Sequence, residues 1–469
     1  MVSFILPGNS ATGGFDVANS LRFNRGSSDN LTRSTGTATN NDKATVSFWL
    51  KRSGSSSQGI IAEDTNGSNK FAFILNSNQK IELVQETGGS TEFNLITTRV
   101  FRDFSSFYHI VIAYDSSQGT ASNRIKVYVN GVQETAFDTG TYPSSNVDFR
   151  FNKNSITQQI GSYENTAFME GYLSEFVFID GQQLAPDQFG EFDSDSGIWK
   201  PIDVSGLTFG TRGFYLDFES SGSLGADVSG NGNNFTVNNL TSIDQSTDTC
   251  TNNFATLNPL IKTAYGSELS NGNLDCVQSD VRGRFHNVTT IGASSGKYYA
   301  EIKLTGGSNH VLGVATDASF TYASTLLTSG FNYLGQSGTL SYSYYVADGT
   351  VYVNGTNSSH GATLTTNDIL GIYLDLDNHK LYFSKNGALQ SSTGIDIPTG
   401  YDYFFGVGDL GTGDSGEVSC NFGNPVFSIS SSNTDDNGYG NFEYSPNITG
   451  DGSAKSFYAL NTKNLAEFG

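Results

Sequence analysis

The sequence predicts an all-β protein of two antiparallel β-sandwiches joined by a Gly/Ser/Asn-rich connector, and three observations carry that expectation. First, apolar residues repeat with a period of two. In Asp368–Leu389 the positions Leu370, Ile372, Leu374 and Leu376 are apolar, while Gly371, Tyr373 and Asp375 take the other face. Second, strands are followed by the dipeptide that accepts the positive φ angles of tight hairpins, at Asn130-Gly131, Asn354-Gly355 and Asn386-Gly387. Third, the chain holds 54 Gly, 34 Phe and 23 Tyr but 2 Met, a composition of aromatic-rich strands and polar turns. At 469 residues more than one domain is expected.

In chain order, residues 1–20 are Gly- and Asn-rich around the apolar cluster Phe4-Ile5-Leu6, and read as an N-terminal docking arm. From Leu21, strand-like runs follow at sandwich spacing, among them TVSFWLKR, FAFILN, KIELVQE, FYHIVIAY, IKVYVNG and YLSEFVFID. The stretch FYHIVIAYDSSQGTASNRIKVYVNGVQ, followed by Gln159-Ile160-Gly161 and by Gly171-Tyr172-Leu173-Ser174-Glu175, resembles the central hairpin and closing strands of laminin-G-like, concanavalin A-like domains. That resemblance implies a jelly-roll sandwich over 21–195. Residues 196–261 are expected to form a connector subdomain. The segments FIDGQQLAPDQFGEFDSDSGIWKPIDVSG and GFYLDFESSGSLGADVSGNGNNFTVNNL resemble a connector of tailed-phage structural proteins, many of them marine.

Within 262–427 the order of elements resembles the SPRY (B30.2-like) family. Its G-x-Y-Y/F-x-E strand stands here as Gly296 to Glu301, its D-x-[IL]-G-x-x-x-D hairpin as Asp368 to Asp375, and its closing N-F-G as Asn421-Phe422-Gly423. The family's Trp-Gly before the mid-domain loop is replaced by Leu334-Gly335, so its ligand loop is not carried over. Residues 428–469 read as a docking tail, and SFYALNTKNLAEFG resembles the ending of the same phage proteins. Leu374 and Leu376 are expected in the second core.

A net charge of −21 with scattered acids speaks against nucleic acid or anionic lipid as partner, since both need a basic face. No run approaches the roughly 18 apolar residues of a membrane span, and MVSFILPG lacks a basic n-region, so neither membrane insertion nor a signal peptide is expected. Cys250, Cys276 and Cys420 are odd in number and widely spaced, which suits buried thiols made in a reducing cytoplasm.

Few constellations point to chemistry. Glu191, Asp193 and Asp195 alternate as the carboxylates of concanavalin A-like glucanases do, but the run ends in the shorter Asp and lies in a Gly/Ser connector, so a solvated turn is expected. Glu175 and Asp180, five apart, should face opposite ways. Asp227, Ser229, Asn231 and Asn233 place side-chain oxygens at alternate positions among glycines, a candidate calcium loop without the distal Glu of an EF-hand. An Asx-rich turn is the plainer reading. Calcium apart, no cofactor is expected. Tyr342 and Tyr344 share a strand face and are read either as a sugar-stacking platform or as half-buried core.

The resemblances imply a non-enzymatic phage virion protein, a tail fibre, appendage or head decoration, located in the virion after synthesis in the host cytoplasm. Its expected partners are host-surface polysaccharide and other virion proteins. A homotrimer is implied by the same resemblance, with Phe4-Ile5-Leu6 and Phe457-Tyr458-Ala459-Leu460 as apolar clusters outside both sandwiches. Two alternatives stand beside it: a glucanase-like depolymerase, and a scaffold whose SPRY domain grips a peptide of another virion protein.

Overall fold

The computed structural model describes residues 14–64, 67–261, 267–278, 285–319, 333–410 and 416–469. Phe4-Ile5-Leu6 and most of the expected arm lie outside them. The described residues are nearly all strand and turn, and they divide into two compact units, one reaching Asn252 and one starting at Asn253.

The first unit is a sandwich of two antiparallel eight-stranded sheets. One is centred on Lys43–Arg52, which pairs with Tyr108–Asp115 on one side and Gly171–Asp180 on the other. The second contains a meander of consecutive hairpins, Gln58–Asp64, Lys70–Leu75, Ile81–Thr87 and Ser90–Thr97. Alternation decides the faces. Ala44, Val46, Phe48 and Leu50 enter the inter-sheet core with Phe71, Phe73, Leu83 and Phe93. Trp49, on the other face, is also buried, beneath Trp199, Phe107 and Tyr172.

The stretch expected as a connector subdomain is built differently. Phe214–Leu216 pairs with Phe176–Phe178, Thr236–Asn238 with Asn30–Thr32, and Gln245–Ser246 with Ser20–Leu21. Residues 196–252 therefore supply edge strands to both sheets, and Phe214, Leu216, Phe235 and Leu240 join the core. The driving force is burial of apolar surface that edge strands two or three residues long cannot hide by themselves.

The second unit packs a nine-stranded sheet on a six-stranded one. Lys297–Gly306 lies between Ile369–Asp375 and Glu417–Asn421 in the larger sheet. Leu370, Ile372, Leu374 and Leu376 face the core with Leu312, Val314, Phe405 and Val407, as their period predicts. The Asn-Gly turns adopt the expected left-handed pair, with φ 48° and 77° at Asn130-Gly131, 49° and 82° at Asn354-Gly355, and 48° and 78° at Asn386-Gly387.

The outer face of the larger sheet carries a second apolar layer. Tyr299, Tyr373 and Tyr382 project there and meet Phe254, Phe442, Phe457 and Ala459. The strand Tyr458–Ala459 runs parallel to Tyr298–Tyr299, on a stretch of Lys297–Gly306 that Glu417–Asn421 does not reach. Glu301 anchors this layer from inside: its carboxylate accepts the N–H groups of Tyr444 (2.7 Å) and Glu443 (2.9 Å), the amide of Asn421 (3.0 Å) and the Tyr299 hydroxyl (3.1 Å). Phe457, Ala459 and Leu460 are thus covered by their own unit, and of that cluster Tyr458 alone is partly exposed.

Candidate functional site

The structure places the residues singled out from sequence mostly in structural roles. Tyr342 (5 % exposed) and Tyr344 (0 %) lie in the second core, and the Tyr344 hydroxyl donates to the Ala362 carbonyl. Their shared face is the buried one, so they form no open stacking platform.

In the Asp227 loop, the carboxylate accepts the backbone N–H groups of Tyr215, Ser229 and Asn233 at 2.7–3.0 Å. Asn231 donates its amide to the Gly210 and Gly213 carbonyls, and Asn233 to those of Thr211 and Gly213. Hydrogens thus point at the one carboxylate a cation would need, and the neighbouring amides are spent on the backbone. The donor set does not fit calcium. It is an Asx turn that fastens the 210–213 loop. Among the described residues no group of three or more His, Cys, Asp or Glu gathers as metal ligands.

Glu191 and Asp193 are tied to one cation. Lys200 contacts both, at 3.4 and 3.1 Å, and Asp193 also accepts the Ser196 and Asp195 N–H groups. Those hydrogen bonds hold the Asp193 carboxyl well below its usual range. Asp195 remains an exposed turn residue. The three cysteines are buried and outside any disulfide.

Glu175 and Asp180 take separate partners. A bulge interrupts the register between Ser174 and Val177 and holds Glu175 at φ 49°. Its carboxyl is buried against Tyr215, whose hydroxyl donates to it at 2.6 Å, and burial pushes its pKa up to about 8. Asp180 instead accepts from Thr39 N, Arg212 N and the Asn152 amide. His109 is likewise structural. The Trp199 indole donates to Nδ1 at 2.9 Å, which makes Nε2 the donor toward Ser47 Oγ at 2.8 Å. Burial pushes its pKa down to about 3, so the ring is neutral.

The site that sequence reasoning missed is a cleft of about 500 Å³ at one end of the larger sheet of the second unit. Gly296 and Lys297 open the strand Lys297–Gly306; Asp377 and Asn378 form the turn after Ile369–Asp375; Ser453–Ser456, Tyr458 and Phe468 come from the tail. The turn carboxylate Asp377 accepts the Gly296 N–H (2.8 Å) and the Lys297 ammonium (2.5 Å). Partial burial pushes this carboxyl up, but those two donors outweigh it and leave Asp377 below its ordinary range. Lys455 reaches the buried Asp375 at 2.9 Å, and the Asn378 amide donates to both Asp375 oxygens at 3.0 Å.

One wall is aromatic. The Tyr458 and Phe468 rings stack with centroids 4.1 Å apart and planes 19° off parallel. Gly296 is required here, because at its φ of 84° a Cβ would stand 2.8 Å from the Phe468 carbonyl oxygen and 2.9 Å from the Tyr298 hydroxyl. That hydroxyl lies beside the cleft floor, buried and without a hydrogen-bond partner. Of its parts the sequence showed the strand that starts at Gly296, through the G-x-Y-Y/F-x-E motif; the tail's parallel pairing carries no local signal.

A family model for the concanavalin A-like lectin/glucanases superfamily matches residues 25–187, and the SPRY domain model matches residues 297–405. No curated protein matches the chain. Among solved structures, the chain is similar to the SPRY domain of human HERC1, at 16% identity over 33% of this chain and 91% of that one, with a TM-score of 0.28. The native heptameric SAP-like pentraxin from Limulus polyphemus gives 16% identity over 37% and 82% of the two chains, TM-score 0.28. The TRIM65 PSpry domain gives 16% over 36% and 91%, TM-score 0.28. The sandwich that closes before Asn252 and the one that opens at Asn253 are accordingly a laminin-G/concanavalin A-like domain followed by a SPRY domain.

Proposed function

We propose that this chain is a non-enzymatic virion protein of a tailed phage, a tail fibre, appendage or head decoration, whose lectin-like sandwiches bind host-surface glycans or other virion proteins. Both domains are binding scaffolds, and the phage origin rests on the resemblance of the connector and the tail to phage structural proteins. The observation that carries a binding role is the cleft, where an aromatic wall faces amide, hydroxyl, ammonium and carboxylate groups around one concavity. Glu191 and Asp193, tied to one lysine, favour binding over hydrolysis. A homotrimer rests on the same phage resemblance, without help from Phe457, Ala459 and Leu460, which are buried in their own unit.

The test is to probe a glycan array with the full chain and to assay the bound polysaccharide for new reducing ends. Binding without release supports the proposal. Release of reducing ends points to the depolymerase. Binding to virion proteins alone points to the scaffold. Light scattering on the full chain tests the trimer, and a monomer mass refutes it.

A further inference from the structure

We infer that the cleft between the strand start Gly296-Lys297 and the tail hairpin is the glycan site of the second unit, and that it takes a neutral hexose oligosaccharide and not an acidic one. This rests on the glycan-binding reading above and deepens it. The argument is first one of charge. Lys297 is matched by Asp377 and Lys455 by Asp375, two ammonium groups against two carboxylates. Burial, and beside it the fields of Asp436, Glu467 and Asp435, push the Tyr458 hydroxyl up, with Lys297 opposing them. A uronate or sulfate would find each cation already paired and would meet net negative surroundings.

A neutral polyol meets no such penalty. Its hydroxyls both donate and accept, which suits a site where Asp377 and the Asn378 side-chain carbonyl offer lone pairs and Ser453 offers both functions, while the Asn378 amide is engaged by Asp375 and the Ser456 hydroxyl by Asp436. The stacked Tyr458–Phe468 pair supplies an apolar wall for the C–H face of a sugar ring. The volume, about 500 Å³, falls within the roughly 300–1,000 Å³ typical of ligand pockets. Finally, the tail hairpin belongs to the built fold of this unit: Tyr458–Ala459 is paired to the sheet and Phe457 is fully buried. The wall is in place before a ligand arrives, which spares the cost of ordering it.

The experiment titrates the full chain by calorimetry with gluco-, manno- and galacto-configured neutral oligosaccharides and with an oligogalacturonate. Phe468→Ala, at the exposed end of the last helix, is expected to weaken neutral-glycan binding by about tenfold, the loss of one aromatic contact. Ala454→Lys and Ala454→Glu, on an exposed hairpin whose packing they do not touch, should both weaken it, because the obstruction is steric and not electrostatic. Preference for the oligogalacturonate, with Ala454→Lys strengthening and Ala454→Glu weakening it, overturns the neutral class. Neutral binding that all three variants leave unchanged places the glycan elsewhere and overturns the cleft while sparing the broader reading. No binding by any glycan overturns both.

Discussion

Glu175→Gln isolates the energetic consequence of the bulge in Gly171–Asp180. The wild-type carboxyl is buried, has the Tyr215 hydroxyl as a donor at 2.6 Å, and sits in the negative fields of Asp217, Glu219 and Asp203. Burial is the largest cause of its rise from 4.5 to about 8. Between those values the native state keeps a proton that the unfolded chain releases, so the contribution of Glu175 is fully present below about 4.5 and lost as pH rises through about 8. At 1.36 kcal/mol per pH unit the loss reaches about 3 kcal/mol at pH 7 and about 5 above pH 8. Glutamine preserves the acceptor for Tyr215 and cannot ionise. The variant should therefore match wild type near pH 4 and become progressively more stable relative to it toward pH 9. Urea melts of both proteins at pH 4, 6, 7 and 9 measure the difference. A difference that does not change with pH would mean that Glu175 is ionised and hydrated in the native state, and the burial argument would fall.

Other perturbations follow from the same structure. Leu374→Ala should cost about 2–5 kcal/mol in urea unfolding, since Leu374 is buried in the second core; a loss below about 0.5 would mean the face assignment is wrong. Glu63→Gln should cost about 3–5 kcal/mol, because Arg150 grips that carboxylate twice, at 2.7 and 2.9 Å, and would be left as a buried charge. Replacing both members by methionine should cost less than the single change, and the reverse order would contradict this account. Tyr298→Phe should leave melting temperature unchanged or raise it, because it deletes a buried hydroxyl that has no partner; a clear drop would reveal one. Glu191→Gln with Asp193→Asn should leave glycan binding on the array intact.

The fold was legible wherever strands alternate over several residues. The run Ala44, Val46, Phe48, Leu50 and its counterpart Leu370, Ile372, Leu374 name their own inward faces. The Asn-Gly turns fixed hairpin geometry locally. Alternation showed that Tyr342 and Tyr344 share a face but not which face, because with both sides of a strand covered the period alone has no sign. The bulge at Glu175 was not read from the sequence: Leu173 and Phe176, an odd three residues apart, both enter the core only because the register shifts between them. Illegible were pairings of two or three residues across long separations, such as Val237 with Leu31 or Tyr298 with Tyr458. Strands so short show no period, and their partners are chosen by the sheet edge left open. The cleft depends on such a pairing.

The tail pairing also bears on biosynthesis. The second unit begins and ends against itself: Ala255 N donates to the Leu460 carbonyl, Thr462 N to that of Asn253, and Asn253 N to the Thr462 hydroxyl. Before Phe457 has left the ribosome, the tyrosines at 299, 373 and 382 lack the part of their cover that Phe457 and Ala459 supply. A stalled or clipped chain would present that aromatic floor to chaperones and to other nascent chains, whereas the first unit, synthesised ahead of it, can already be folded. Chains truncated before residue 457 should therefore be recovered as aggregates while still carrying a protease-resistant first sandwich.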